Sequence, residues 1–140
     1  MTSGFVADAS VGVAWAAAAQ SSEMTRSLLD EVSSGRPWVV PVLWMFEVAN
    51  SLLVLVRRRK ISAEEYARAR HDLADLRPLV DDEGPSVAFA ATSEIAEKSG
   101  LSVYDAVYVE LALRRGLPLA SRDGALNKAA RRSGAKTLLD

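Results

Sequence analysis

The sequence of 140 residues contains no cysteine, which excludes a disulfide scaffold, a thiolate zinc site and a cysteine nucleophile together. A reducing compartment suits that composition. Histidine is almost missing as well. His71 is the single one, set among Arg68, Arg70, Asp72 and Asp75, and it reads as a solvated surface residue. No apolar run reaches the ~18 residues that a membrane span needs. The opening Met1-Thr2-Ser3-Gly4-Phe5 has no basic stretch, and Asp8 falls where a signal peptide would place its apolar core. Charge of one sign is lacking too. With 17 basic and 18 acidic residues the net charge is -1, so no global field draws in nucleic acid or an anionic membrane. These exclusions leave a soluble, cytoplasmic protein whose ligand contacts must come from local clusters.

What is present suits a folded protein. At 49% hydrophobic and 25% charged, the chain can build a core and is unlike a disordered segment. Its length predicts one domain over 1–140. Short apolar runs alternate with helical patterns. Phe5-Val6-Ala7, Trp38-Val39-Val40, Pro78-Leu79-Val80, Leu117-Pro118-Leu119-Ala120 and Thr137-Leu138-Leu139 read as strands. Between them, spacings of three and four predict helices near 11–18, 22–33, 42–59, 62–76, 86–99, 102–115 and 124–132, several stopped by a glycine. Ser62-Ala63-Glu64-Glu65 is a capping box, in which the Ser62 hydroxyl and the Glu65 carboxylate satisfy each other's backbone N–H. Strands separated by helices imply crossover connections. The predicted fold is therefore an α/β/α three-layer sandwich on a parallel, roughly five-stranded sheet. Ligands of such folds bind beyond the carboxyl ends of the strands.

Four acids sit where that architecture gathers ligand-binding groups. Asp8 ends the first strand, and Asp123 follows the fourth. Asp105 lies in the first turn of the helix after Ser102. Glu47 interrupts the apolar run Val42-Leu43-Trp44-Met45-Phe46-Glu47-Val48-Ala49, with no basic residue within a helical turn. Asp8 and Asp123 also suit helix N-caps, and Asp105 suits a capping box with Ser102. Glu47 has no such role and needs a partner or an exposed niche. Converging carboxylates repel, by about 4 kcal/mol for two charges ~4 Å apart at an effective dielectric near 20. A divalent cation turns that repulsion into coordination, and oxygen donors favour Mg²⁺ or Mn²⁺.

These segments resemble the PIN-domain nucleases. Phe5-Val6-Ala7-Asp8-Ala9-Ser10 is similar to that family's opening strand and acid, and Glu47-Val48-Ala49-Asn50 to its second acid with a following Asn. Tyr104-Asp105-Ala106-Val107-Tyr108-Val109-Glu110-Leu111-Ala112 resembles the third motif, and Leu119-Ala120-Ser121-Arg122-Asp123-Gly124-Ala125-Leu126 the fourth. Ser121 stands where the family often has Thr, which keeps a hydroxyl. Order and spacing resemble the VapC branch, the toxin ribonucleases of toxin–antitoxin pairs. The resemblance implies a PIN-like, metal-dependent endoribonuclease in which Asp8, Glu47, Asp105 and Asp123 hold Mg²⁺ or Mn²⁺. It also implies cleavage to 5′-phosphate and 3′-hydroxyl ends, with Ser10, Asn50 and Ser121 orienting carboxylates or waters.

The partners expected are an RNA substrate, a small cognate antitoxin and a second copy in a homodimer, with no membrane. Arg57-Arg58-Arg59-Lys60 ends the Glu47 helix, about 15 Å from Glu47 at 1.5 Å per residue. The run suits either a helix C-terminus or RNA phosphates, and Arg122 beside Asp123 is a nearer phosphate contact. Trp44, Met45, Phe46, Leu52 and Leu55 cannot all face one sheet, so part of their helix is expected to be an interface. Two other classes remain open at this point. A haloacid-dehalogenase-type phosphatase also begins strand–Asp, but needs an Asp where Ser10 stands and a positioned Lys. A metal-free interaction module would use the acids only as caps.

Overall fold

A computed structural model describes residues 3–139. It shows a three-layer α/β/α arrangement around a parallel sheet of order β3-β2-β1-β4. The strands are β1 (Phe5–Ala7), β2 (Trp38–Pro41), β3 (Leu79–Asp81) and β4 (Leu119–Ala120). The helices are α1 (Ala9–Ala16), α2 (Glu23–Ser33), α3 (Leu43–Arg57), α4 (Ala63–Asp75), α5 (Ser93–Ser99), α6 (Val103–Arg115) and α7 (Gly124–Arg132). Phe5, Val6 and Ala7 of β1 are wholly buried, as expected for a central strand covered on both faces. The sheet has four strands rather than five. Thr137 makes a single parallel bridge to Leu119 and extends no further. β4 is only two residues long, and Pro118 before it has no N–H to lengthen the ladder.

The Ser62 capping box forms as expected: the Glu65 N–H donates to Ser62 Oγ (3.0 Å) and the Ser62 N–H to Glu65 Oε1 (3.3 Å). Gly116 ends α6 at φ 63°, a left-handed geometry that glycine adopts without a Cβ penalty. The helix expected over 86–99 is broken instead. A 3-10 turn (Gly84–Val87) leads into a π-helical stretch (Ala88–Thr92), and only then does α5 begin. Ser93 Oγ donates to the Ala88 carbonyl at 2.6 Å, five residues back across this stretch.

α1, α3 and α4 pack on one another, while α5 and α6 pair, with α6 lying along β1, β2 and β4. Contact between α1 and α3 depends on Gly12. A Cβ there would come within 2.6 Å of the Trp44 ring and 2.8 Å of a Val48 methyl. Trp15, Trp38 and Trp44 stack edge to face, with ring centroids 5.2 and 5.4 Å apart. This close seam puts the first turns of α1 and α3 side by side. Asp8 and Glu47 are carried there.

Candidate active site

The sheet order reverses at β1, which pairs with β2 on one side and β4 on the other. Ligand sites of open α/β sheets lie outside the strand ends at such a point. Asp8 stands there, 5% exposed. Its N–H donates to the Ala120 carbonyl (3.0 Å), which ties the end of β1 to β4. Ser10 Oγ donates to one carboxylate oxygen and Ser121 Oγ to the other, each at 2.6 Å, and the Val11 N–H adds a third donor at 3.3 Å. Asp8 is therefore the α1 N-cap and is also clasped by two hydroxyls, one from Ser10 two residues on and one from Ser121 in the β4–α7 loop. The Trp44 indole N–H holds the Asp8 carbonyl oxygen at 2.9 Å.

Both serines bind onward. Ser10 Oγ accepts from the Arg122 N–H (2.8 Å), and Ser121 Oγ from the Asp123 N–H (3.0 Å). Asp123 is exposed and caps α7 through the Ala125 and Leu126 N–H groups, at 3.0 and 3.2 Å. Asp105 is half-buried, with its N–H on Ser102 Oγ at 3.1 Å. The capping roles expected for Asp8 and Asp123 are thus present, whereas of the capping box expected between Ser102 and Asp105 only the Ser102 half forms. Glu47 finds its partner across the molecule: the Tyr108 hydroxyl donates to Glu47 Oε1 at 2.5 Å.

The electrostatics set this group apart. Burial pushes the Asp8 carboxyl above its usual range, outweighing its hydrogen-bond donors. Glu47 is raised by burial and by the charges of Asp105 and Asp8, while the Tyr108 hydroxyl pulls the other way. Asp105 is raised by burial and by Asp123. Tyr108 is itself raised, by burial and by its bond to Glu47, so it stays a neutral donor. No cation is among the influences on the three raised carboxyls. Two of the acids thus feel other carboxylates directly: Glu47 feels Asp105 and Asp8, and Asp105 feels Asp123. Among the described residues, however, no three acids are gathered closely enough to enclose an ion as they stand. The donor set is all oxygen and anionic, which fits a hard divalent ion such as Mg²⁺ or Mn²⁺.

The remaining sequence candidates lie outward. Asn50 is exposed one turn beyond Glu47 and lines a pocket of about 340 Å³ together with Ser10 and Arg122. Arg57, Arg58 and Arg59 are exposed where α3 ends. His71 is solvent-facing, 3.8 Å from Asp75. On α3, Trp44, Val48 and Leu52 turn inward, whereas Phe46 is 69% exposed and Met45 37%, which leaves the apolar surplus expected of an interface. Sequence reasoning missed Tyr108, Trp44 and Asn127 as site residues. Tyr108 follows Asp105 by three, a spacing that puts both on one helix face, and that was the available signal. Asn127 Nδ2 donates to the Ser121 carbonyl (2.9 Å) from a buried position, and nothing local marks it.

Among solved structures, the chain is similar to PAE2754 from Pyrobaculum aerophilum (TM-score 0.69, 23% identity, covering 97% of this chain and 84% of that one). It is also similar to FitAcB from Neisseria gonorrhoeae (TM-score 0.65, 16% identity, covering 96% of each). At such identities these likenesses speak for the fold. No curated protein matches the chain. The PIN domain family model matches residues 5–132, a span that contains all four acids. The chain therefore belongs to the PIN domain family, whose members are typically metal-dependent nucleases.

Proposed function

We propose that this protein is a Mg²⁺- or Mn²⁺-dependent endoribonuclease and acts in the cytoplasm as the toxin of a toxin–antitoxin pair. The observation that carries the reading is the group of carboxyls at the β1 switch point: Asp8, Glu47 and Asp105 are raised by burial, Glu47 and Asp105 also by neighbouring carboxylates, and no cation offsets them. Unpaired buried charge is costly, and a site that keeps it has a use for it.

Asp8, Glu47, Asp105 and Asp123 are the residues that would hold the ion. When bound, it would lower the pKa of a water and neutralise charge on the phosphate and leaving oxygen. Asp8 is kept in one orientation by Ser10 and Ser121, and Glu47 by Tyr108. Ser10 and Ser121 also position Arg122 and Asp123 through their backbone N–H groups. Arg122, with Arg57, Arg58 and Arg59 farther along, would contact RNA phosphates. Asn50 would orient a water or a substrate group at the pocket. The exposed Met45 and Phe46 would take part in antitoxin or homodimer contacts.

The rival reading, an interaction module whose acids are only caps, draws on the cap hydrogen bonds of Asp8 and Asp123. One titration separates them. Adding Mn²⁺ should raise the melting temperature by mass action, by about 2.7 kcal/mol of stability at a hundredfold excess over Kd. Asp8→Asn should remove that rise, and single-stranded RNA should be cut only when the ion is present. A flat melting curve with intact RNA would establish the cap reading. Metal binding with turnover of small phosphate esters alone would point to a phosphatase.

A further inference from the structure

The pocket beside the carboxylates has a chemistry of its own. It lies between α1, α3 and the β4–α7 loop and encloses about 340 Å³. That is near the lower end for small-ligand pockets, ~300–1,000 Å³, and suits one nucleotide. Val13, Val54 and Leu55 form its apolar wall, while Gln20, Asn50 and Ser51 supply amides and a hydroxyl. Ser10 belongs to both sites: it lines the pocket, and its hydroxyl donates to the Asp8 carboxylate. A group in the pocket therefore lies one side chain from the proposed reaction centre.

A second depression of about 310 Å³ continues the first and shares Gln20, Val54 and Leu55 with it. Arg58 and Lys60 line its far end, and Arg122 stands at the near end of the first. No acid lines either depression. Cations at both ends of a neutral trough match a polyanionic strand, with the phosphates at the ends and a base between them.

We propose that the pocket between α1, α3 and the β4–α7 loop is a base-recognition subsite, which seats an unpaired nucleotide next to the scissile phosphate and reads its edge with the Gln20 and Asn50 amides. A carboxamide presents a donor beside an acceptor and so matches the edge of a base, as Asn and Gln do on adenine. No aromatic ring lines the pocket, so hydrogen bonding rather than stacking provides the discrimination. Val13, Val54 and Leu55 give the base an apolar bed. Arg122 is held over the pocket by its N–H on Ser10 Oγ and by a long contact of 3.5 Å to Gln20 Oε1, where it meets the adjoining phosphate. Unpaired bases are the usual targets of sequence-specific RNA recognition, since their edges are open.

The inference rests on the nuclease reading, and its test separates the two. Four labelled homopolymeric oligoribonucleotides are compared in two ways with the full-length protein. Binding is followed by anisotropy in chelator, and cleavage by kcat/KM in Mn²⁺. Wild type should rank the four with a spread of ~10-fold or more in both measurements. Gln20→Leu removes the amide and should compress the spread to within ~3-fold. Val54→Phe fills the seat and should weaken binding of the preferred oligonucleotide by ~10-fold. Both variants should keep the Mn²⁺-induced rise in melting temperature, which shows that the carboxylate site is intact. If RNA is cut but neither variant alters ranking or affinity, the subsite is overturned, the nuclease reading stands, and the trough is left for a protein segment. If RNA is bound with a ranking that the variants erase but is never cut, the subsite stands and the nuclease reading fails. Absence of both binding and cleavage overturns both.

Discussion

The side chains around Asp8 and Glu47 are neutral hydrogen-bond donors, and that choice sets the behaviour of the site. A cation beside Glu47 would cancel the charge that a metal needs, whereas the Tyr108 hydroxyl orients the carboxylate and leaves it anionic. Tyr108→Phe deletes only that donor. Because the hydroxyl lowers the Glu47 pKa, its loss should raise that pKa further. The acidic limb of kcat/KM against pH should then move to higher pH, with a stability loss of about 1–2 kcal/mol. A pH–rate profile with an unmoved limb would mean that Glu47 is not ionised for the reaction. Ser121→Ala acts on Asp8 in the same sense. It frees one carboxylate oxygen and unties the Asp123 N–H, and Mn²⁺ affinity measured calorimetrically should fall by about 10–100-fold, the usual effect of losing such a supporting contact.

At the scale of elements, the site depends on how closely α1 approaches α3. Gly12→Ala places a methyl against Trp44 and Val48, in a core with no slack. The expected loss is about 1–3 kcal/mol by urea denaturation, as for other overpacked positions. Activity should fall further than stability alone explains, because the turn that carries Asp8 is pushed from the one that carries Glu47. The sequence patterns that the structure reproduces are local. Apolar strands, the Ser62 and Ser102 caps and the glycine stop after α6 each depend on neighbours a few residues away. The Asp8 and Asp123 caps were legible for the same reason, each being set by its place between a strand and the helix that follows. The π-helical stretch over 88–92 was not, since Ala-Phe-Ala-Ala-Thr carries an ordinary helical pattern. Tyr108 bonds a residue 61 positions away, and Trp44 one 36 away. No periodicity encodes such pairings. The fifth strand failed for a related reason: an apolar triplet predicts a strand but not whether its neighbour is long enough to pair.

Across the whole molecule, buried acids come in two kinds, and they respond to pH in opposite directions. Asp81 is buried at the end of β3 and held by Arg114 at 2.8 and 2.9 Å and Arg115 at 3.3 Å, while Arg114 also binds Glu110 at 2.9 Å. The Arg114 hydrogen bonds lower the Asp81 pKa to about 2. A depressed carboxyl stabilises the fold above its unfolded value, and that contribution is lost as pH falls through the folded one. Asp8, Glu47 and Asp105 are raised instead. In the window between their unfolded and folded values the folded state binds more protons than the unfolded one, so stability falls as pH rises through it. The metal-free protein should therefore melt highest between these two limbs. From the maximum its melting temperature should fall on the neutral side as the three raised carboxyls ionise, and on the acid side below about pH 4 as Asp81 takes up a proton. Asp105→Asn should make the neutral slope shallower without touching the acid limb, whereas Asp81→Asn should remove the acid limb and cost about 3 kcal/mol, because it leaves Arg114 short of its counter-charge. Saturating Mn²⁺ should reverse the neutral slope, since the ion binds the deprotonated carboxylates. Melting curves from pH 3 to 8, in chelator and in Mn²⁺, read all of these together. A metal-free curve with no fall on the neutral side would mean that the carboxyls at the β1 switch point are not raised, and would remove the observation that carries the nuclease reading.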